Sequence, residues 1–206
     1  MSSAAFWNGK ADKYFEQPIK SPEIYEQKLE ITRRHMRPGD RVFEFGCGTG
    51  GTAILHAGHV REIVATDISD RMIEIGWREA QKAGLSNVHF EAVSMEDYVA
   101  DAPFDMVLGL SILHLIKDRR AAIAKAYDML KPGGCFISGT VCLGDRHNWL
   151  RLVIPLMQLV GAAPYVAFLK ETDLVRELED AGFEVEERYR PAEYIAPFLV
   201  CRKPSL

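Results

Sequence analysis

Val42-Phe43-Glu44-Phe45-Gly46-Cys47-Gly48-Thr49-Gly50-Gly51 is an apolar run that carries one acid and then breaks into glycines. Its length suits a strand buried on both faces. The glycines at 46, 48 and 50 let the backbone turn sharply and pass close to a ligand, in conformations that side chains resist. Further along, a second apolar run, Glu62-Ile63-Val64-Ala65-Thr66, ends at Asp67. A glycine turn behind one strand and a carboxylate behind the next make the ground plan of a nucleoside-cofactor site. The carboxylate accepts hydrogen bonds from both hydroxyls of a ribose.

Around this core the pattern alternates. An aromatic and charged stretch over residues 6–17 (Phe6, Trp7, Tyr14, Phe15) predicts an amphipathic helix, ended by Pro18 and Pro22. Ser21 caps a second helix from Pro22 to about Met36. After the glycine loop come a crossover helix over residues 50–58, the strand ending at Asp67, and a helix capped by Ser69 and stopped by Gly84. Strands follow at Val88–Val93, Phe104–Leu110 and Cys135–Val141, with a helix over Asp118–Leu130 and a turn at Lys131-Pro132-Gly133-Gly134. Thr172–Ala181 is a last helix, and Phe183–Arg190 and Tyr194–Arg202 form a final strand pair. Apolar strands separated by helices imply an α/β fold with a mostly parallel sheet covered on both faces. Right-handed crossovers bring the glycine loop, Asp67 and the ends of the third and fourth strands to one edge.

Composition bounds the function. The 206 residues fit one domain, read as an N-terminal helical cap over about 6–36, the sheet domain, and an inserted lid over about 143–170. A net charge of −4 supplies no broad basic field, so no nucleic acid is expected as partner. Cys47, Cys135, Cys142 and Cys201 show no CxxC spacing; no metal site is expected, and a reducing cytoplasm is the simplest location. The N-terminus has no basic region followed by an apolar run, so no signal peptide is read there.

Five segments in order resemble the class I S-adenosylmethionine-dependent methyltransferases over roughly residues 38–202. They are Glu44–Gly50, Asp67-Ile68-Ser69-Asp70-Arg71-Met72, Phe104-Asp105-Met106-Val107, Leu130-Lys131-Pro132-Gly133-Gly134 and Ala181-Gly182-Phe183. The resemblance implies a Rossmann-like sheet of seven strands, one of them antiparallel and set in the final pair. It also implies S-adenosyl-L-methionine as cofactor and S-adenosyl-L-homocysteine as product. By the same resemblance Gly46, Cys47, Gly48, Thr49 and Gly50 form the loop against the methionine and ribose, with Cys47 read as a packing residue. Glu44 stands behind the loop, or reaches the cofactor amino group through water. Asp67 holds the ribose, and Ile68 and Met72 flank the adenine. Ser94, Met95 and Glu96 read the adenine edge, through a backbone amide or Glu96, because Ser94 stands where many relatives carry Asp. Leu110 offers its carbonyl to the cofactor ammonium.

Other readings compete for the same residues. Gly46-x-Gly48-x-x-Gly51 also fits dinucleotide enzymes, and Tyr127 and Lys131 mimic a dehydrogenase pair, but Lys131 stands at a helix end before Pro132. His56 and His59 share a helix face without a third ligand and read as surface histidines. His114 follows the fourth strand and is the candidate general base; its bland alternative is a packed histidine at a helix start. From Leu152 to Leu169 the chain carries no charge. Pro155, Gly161 and Pro164 oppose a membrane span, so residues 149–169 read as a helical lid, with a membrane-surface or homodimer contact as the second reading. Tyr14, His147, Trp149 and Tyr165 are the candidate acceptor contacts. The loop after the fourth strand, Gly109-Leu110-Ser111-Ile112, lacks the Asn/Asp-Pro-Pro-Tyr signature of amine-methylating DNA and protein enzymes. A small, rather apolar acceptor is therefore expected, methylated by in-line displacement. A methyltransferase of macromolecules or a non-catalytic S-adenosylmethionine-binding protein are the alternatives.

Overall fold

The computed structural model describes residues 2–145, 150–159, 163–192 and 196–205. The chain runs α1 (Ser3–Asn8), α2 (Ala11–Phe15), α3 (Pro22–Arg34), β1 (Arg41–Phe45), α4 (Gly51–His56), β2 (Glu62–Asp67), α5 (Asp70–Lys82) and β3 (Val88–Ala92). It continues with β4 (Phe104–Leu110), α6 (Arg119–Met129), β5 (Leu130–Gly139), α7 (Leu150–Leu159), α8 (Glu171–Asp180), β6 (Glu184–Tyr189) and β7 (Phe198–Arg202). Every residue of β1 is buried, because the strand pairs on both sides. It runs parallel to β2 from Arg41↔Glu62 to Phe45↔Thr66, and to β4 from Val42↔Met106 to Glu44↔Leu108. The sheet has seven strands in the order β3-β2-β1-β4-β5-β7-β6, and β7 alone runs antiparallel to both neighbours. Strand order reverses between β1 and β4, which opens a crevice at the carboxyl edge of the sheet.

Alternate residues of the strands feed two cores. Phe43, Phe45, Val107 and Phe136 point to the face covered by Ala122, Ile123 and Ala126 of α6 and Leu174 and Leu178 of α8. Val42, Ile63, Ala65, Met106 and Ile137 point to the face covered by Ile31 of α3 and Ala53 of α4. Nε and Nη2, one edge of the Arg119 guanidinium, donate to the two Glu177 carboxylate oxygens at 2.6 and 2.7 Å and so tie α6 to α8.

Three expected elements differ in detail. The single helix over 6–17 is two short helices, because Lys10 and Gly9 form a non-capped junction that lets α2 turn and bury Ala11 against Met72 and Ile75. The turn at Lys131–Gly134 is absorbed into β5: Phe104 pairs with Leu130 and Met106 with Cys135, so the segment between them bulges out of the ladder. Pro155 lies inside α7 instead of ending it, since one missing N–H removes a single helical hydrogen bond. The dehydrogenase-like pair is structural. The Tyr127 ring packs edge-on to Phe183 at 5.1 Å, and the Lys131 ammonium donates to Asp105 at 2.7 Å.

His56 is not at the surface. It is completely buried, and neither ring nitrogen has a hydrogen-bond partner. Burial, with Arg33 and His59 nearby, holds its pKa down at about 4. The unfolded chain protonates this ring near pH 6.5, so its stabilising contribution is complete above pH 6.5 and is lost as pH falls from there to 4. Denaturant melts should lose up to about 3 kcal/mol from this group over that window. His56→Leu should make the acid side of the stability profile shallower.

Candidate active site

At the end of β1 the chain has five residues in which to leave the sheet and start α4. Gly46, Gly48 and Gly50 do this at φ of 64°, 56° and 73°. A Cβ on Gly46 would lie 2.4 Å from the Ile112 side chain, and one on Gly50 would lie 2.3 Å from the Phe90 ring. The loop is bound to the next strand: Cys47 N–H donates to the Thr66 carbonyl at 2.9 Å, and Gly48 N–H donates to one Asp67 oxygen at 3.0 Å. The other Asp67 oxygen accepts from Ser69 N–H at 2.9 Å. Each carboxylate oxygen keeps a further lone pair for a ligand hydroxyl. Burial raises the pKa of Asp67, while the amide donors pull it back.

A cavity of about 520 Å³ opens over this loop. Its walls include Gly46, Gly48, Asp67, Ile68, Met72, Met95, Glu96 and Leu110, together with His114, Tyr14 and Tyr165. Thus most of the candidate cofactor residues and three of the candidate acceptor-side residues share one enclosure of ordinary ligand size. Cys47, Thr49 and Gly50 belong to the loop but do not line the cavity. Ser94 does not line it either; its hydroxyl accepts from Asp97 N–H and donates to the Asp97 carboxylate. His147 and Trp149 lie outside the described residues.

Glu44 sits beneath the loop, on the α3 and α4 face of β1. It is almost fully buried, and Oε2 has no hydrogen-bond partner. Burial pushes its pKa up to about 8. An orphaned buried carboxyl under a backbone cradle fits a cationic amino group arriving from above, directly or through water.

The sequence reading missed Ser3 and Ser111 among the wall residues. Ser3 lines the cavity beside Trp7 of the aromatic N-terminal stretch, both brought there because α1 and α2 dock on the start of α5. The Asn8 side-chain oxygen Oδ1 accepts from the Ser69 hydroxyl at 2.6 Å, and Asp12 pairs with Arg71 at 2.7 Å. Ser111 also lines the cavity and is the only non-glycine residue at positive φ (56°) among the described residues. Its N–H is held by the Gly139 carbonyl at 2.5 Å, which fixes a conformation that serine resists. The His114 ring is largely buried with Nδ1 unpartnered, and burial lowers its pKa to about 4. The His114 carbonyl accepts from Ala167 N–H at 2.7 Å, which holds Pro164 and Tyr165 as a wall of the same cavity. Among the described residues no cluster of His, Cys, Asp and Glu is arranged to hold a metal, and no helix is long and apolar enough to cross a membrane.

The buried carboxyl gives a test. Glu44 ionises near pH 4.5 in the unfolded chain and near 8 in the fold, so its contribution is present below pH 4.5 and is lost as pH rises through 8. The stability of the ligand-free protein should fall between pH 6.5 and 8 and level off above that. Glu44→Gln should flatten that slope in urea melts at three pH values across the window.

Comparison with known proteins agrees with this geometry. Residues 42–134 match the methyltransferase domain family. The chain is 30% identical over 155 residues to the ubiquinone biosynthesis O-methyltransferase of Thiobacillus denitrificans, covering 72% of this chain and 66% of that protein. It is 32% identical over 166 residues to the 27-O-demethylrifamycin SV methyltransferase of Amycolatopsis mediterranei, covering 79% and 60%. The chain therefore spans just under two thirds of the length of these relatives. Among solved structures, the N-methyltransferase NodS of Bradyrhizobium japonicum, crystallised with S-adenosylhomocysteine, superposes with a TM-score of 0.73 at 18% identity, over 93% of this chain and 91% of NodS. A glycine cradle, a ribose-ready carboxylate and a seven-stranded sheet with one reversed strand thus converge with these likenesses, and the chain belongs to the class I S-adenosylmethionine-dependent methyltransferases.

Proposed function

We propose that this protein transfers the methyl group of S-adenosylmethionine to a hydroxyl of a small, largely apolar acceptor, in the cytoplasm. One observation carries the reading: Asp67, the glycine loop and Leu110 line the same cavity as His114, Ile112, Ile116 and Tyr165. Oxygen is chosen as the nucleophile by extension from the two O-methyltransferase relatives. S-adenosylmethionine, when bound, supplies a methyl group on a positively charged sulfur. The chain's residues do the rest. Asp67 holds the ribose hydroxyls with the lone pairs that Gly48 and Ser69 leave open. Ile68 and Met72 flank the adenine, and Met95 and Glu96 meet its edge, with residue 94 contributing backbone because its hydroxyl is engaged. Glu44 and the Leu110 carbonyl take the ammonium end. Apolar walls and the aromatic residues of α1 and α2 exclude water, which favours a step in which charge is dispersed.

His114 is neutral throughout the physiological range because of its burial, and so it is available to accept the acceptor's proton. On this reading the strip 163–169 and α1–α2 are the two covers of the site, and Tyr14 and Tyr165 meet the acceptor.

Calorimetric titration tests the cofactor assignment. S-adenosylmethionine and S-adenosylhomocysteine should bind and NADH should not. Asp67→Ala should weaken binding by roughly 150-fold, the value of two charge-assisted hydrogen bonds at about 1.5 kcal/mol each. NADH binding without the sulfur nucleosides would overturn the proposal. With a phenolic acceptor, His114→Ala should lower kcat by about 100-fold at unchanged KM for the cofactor. The wild-type rate should stay level down to pH 5 and fall toward pH 4. A change in acceptor KM alone would make His114 a wall residue only.

A further inference from the structure

We infer that the acceptor carries an anionic group, a carboxylate or a phosphate, which seats in a second cleft adjoining the cofactor cavity. The inference rests on the methyltransferase reading above and specifies its substrate. The second cleft also measures about 520 Å³. Lys117 and Tyr165 line both enclosures, so the two lie side by side and share these residues as a wall. The same hydrogen bond that holds the cavity wall, Ala167 N–H to the His114 carbonyl, joins the loop carrying Lys117 to the strip carrying Tyr165.

The charge of the second cleft is unlike that of the chain. Lys117, Arg119, Arg120 and Arg176 line it against Asp173 and Glu177, whereas the whole chain carries −4. Glu177 is already committed. Both its oxygens accept from Arg119, and Arg120 stands 3.5 Å from it and 3.6 Å from Asp180. Lys117 and Arg176 are exposed and form no ion pair or side-chain hydrogen bond among the described residues. One carboxylate, Asp173, opposes these two free cations. The Tyr165 hydroxyl adds a neutral donor, and the proximity of Tyr165 to Arg119 sets it among the cations. Such a cleft, partly walled off from water, concentrates anions more than the same charges would on an open surface.

Position turns this into a statement about substrate. Lys117 at the junction is three positions beyond His114 in the cavity, which spans at most about 10 Å of chain. An acceptor with its hydroxyl beside His114 reaches Lys117 with an anionic group about one aromatic ring and a short arm away. Arg176 lines the second cleft and not the cofactor cavity; a phosphate offers it more acceptor oxygens than a carboxylate does.

The test compares three probes that share a phenol: 4-hydroxyphenylacetate, 4-hydroxybenzylphosphonate and the neutral 4-hydroxyphenethyl alcohol. Each is titrated into the full-length protein with and without saturating S-adenosylhomocysteine. At least one anion should bind about tenfold or more tightly than the alcohol. Which anion wins distinguishes a carboxylate from a phosphate substrate. Lys117→Gln combined with Arg176→Gln should abolish the preference, and Asp173→Asn should increase it; all three positions are exposed, and melting curves check the fold. Equal binding of the three probes, failure of both anions to bind, or a preference that survives the double substitution would overturn the inference. Failure of S-adenosylhomocysteine to bind wild-type protein would instead overturn the methyltransferase reading and leave the comparison of probes without it intact.

Discussion

Strand β1 ends between β2 and β4, and the chain must escape that crowded position within five residues to begin α4. The escape works only if the backbone bends where side chains cannot follow, with Ile112 pressed against Gly46 and Phe90 against Gly50. Those contacts leave the loop's amides turned toward Asp67 and Thr66 instead of toward solvent. The backbone cradle, the carboxylate at the end of β2 and the buried Glu44 below are three consequences of this one steric constraint. It explains why a costly group such as Glu44 is tolerated: the sheet is packed on both sides of β1, so a carboxyl there has nowhere to go except under the loop.

A second dependence runs through Ser69. Its hydroxyl caps α5 by accepting from Met72 N–H at 3.2 Å and donates to Asn8. Its own N–H holds Asp67. One residue therefore fastens the N-terminal helices, starts α5 and sets the Asp67 carboxylate in the cavity wall. The cover of the cavity and its floor are mechanically continuous, although α1 and Asp67 lie some sixty residues apart in sequence.

The order and character of the central elements were legible from sequence because they rest on local composition: apolar runs, glycines at strand ends, Ser69 as a cap. Tertiary contacts decided what was not legible. Ser111 is an ordinary serine in sequence, and only the Gly139 carbonyl beside it makes its left-handed conformation affordable. His56 looked like a surface residue because its helix is short; burial came from α4 packing beneath α3. The bulge in β5 hides a Pro-Gly-Gly sequence that locally says turn, because the flanking residues pair with β4 regardless. Lys117 carried no signal at all, since its interest comes from standing where two enclosures meet. Of the candidate acceptor contacts, Tyr14 and Tyr165 reach the cavity. Tyr14 comes by way of a helix break that its own composition does not announce.

The Phe90 ring fills the space left by two missing side chains at once: a Cβ on Gly50 would come within 2.3 Å of it and one on Gly76 within 2.8 Å. Three positions on a loop, a helix and a strand therefore hold a single volume in common. Over evolutionary time the three are not equally free: position 50 stays glycine because its backbone is left-handed, whereas an alanine at 76 is admissible once the ring at 90 has shrunk. Divergence in this corner of the fold should then show as correlated replacements at 76 and 90 beside an unchanging 50, a pattern that records packing, with no bearing on which molecule is bound.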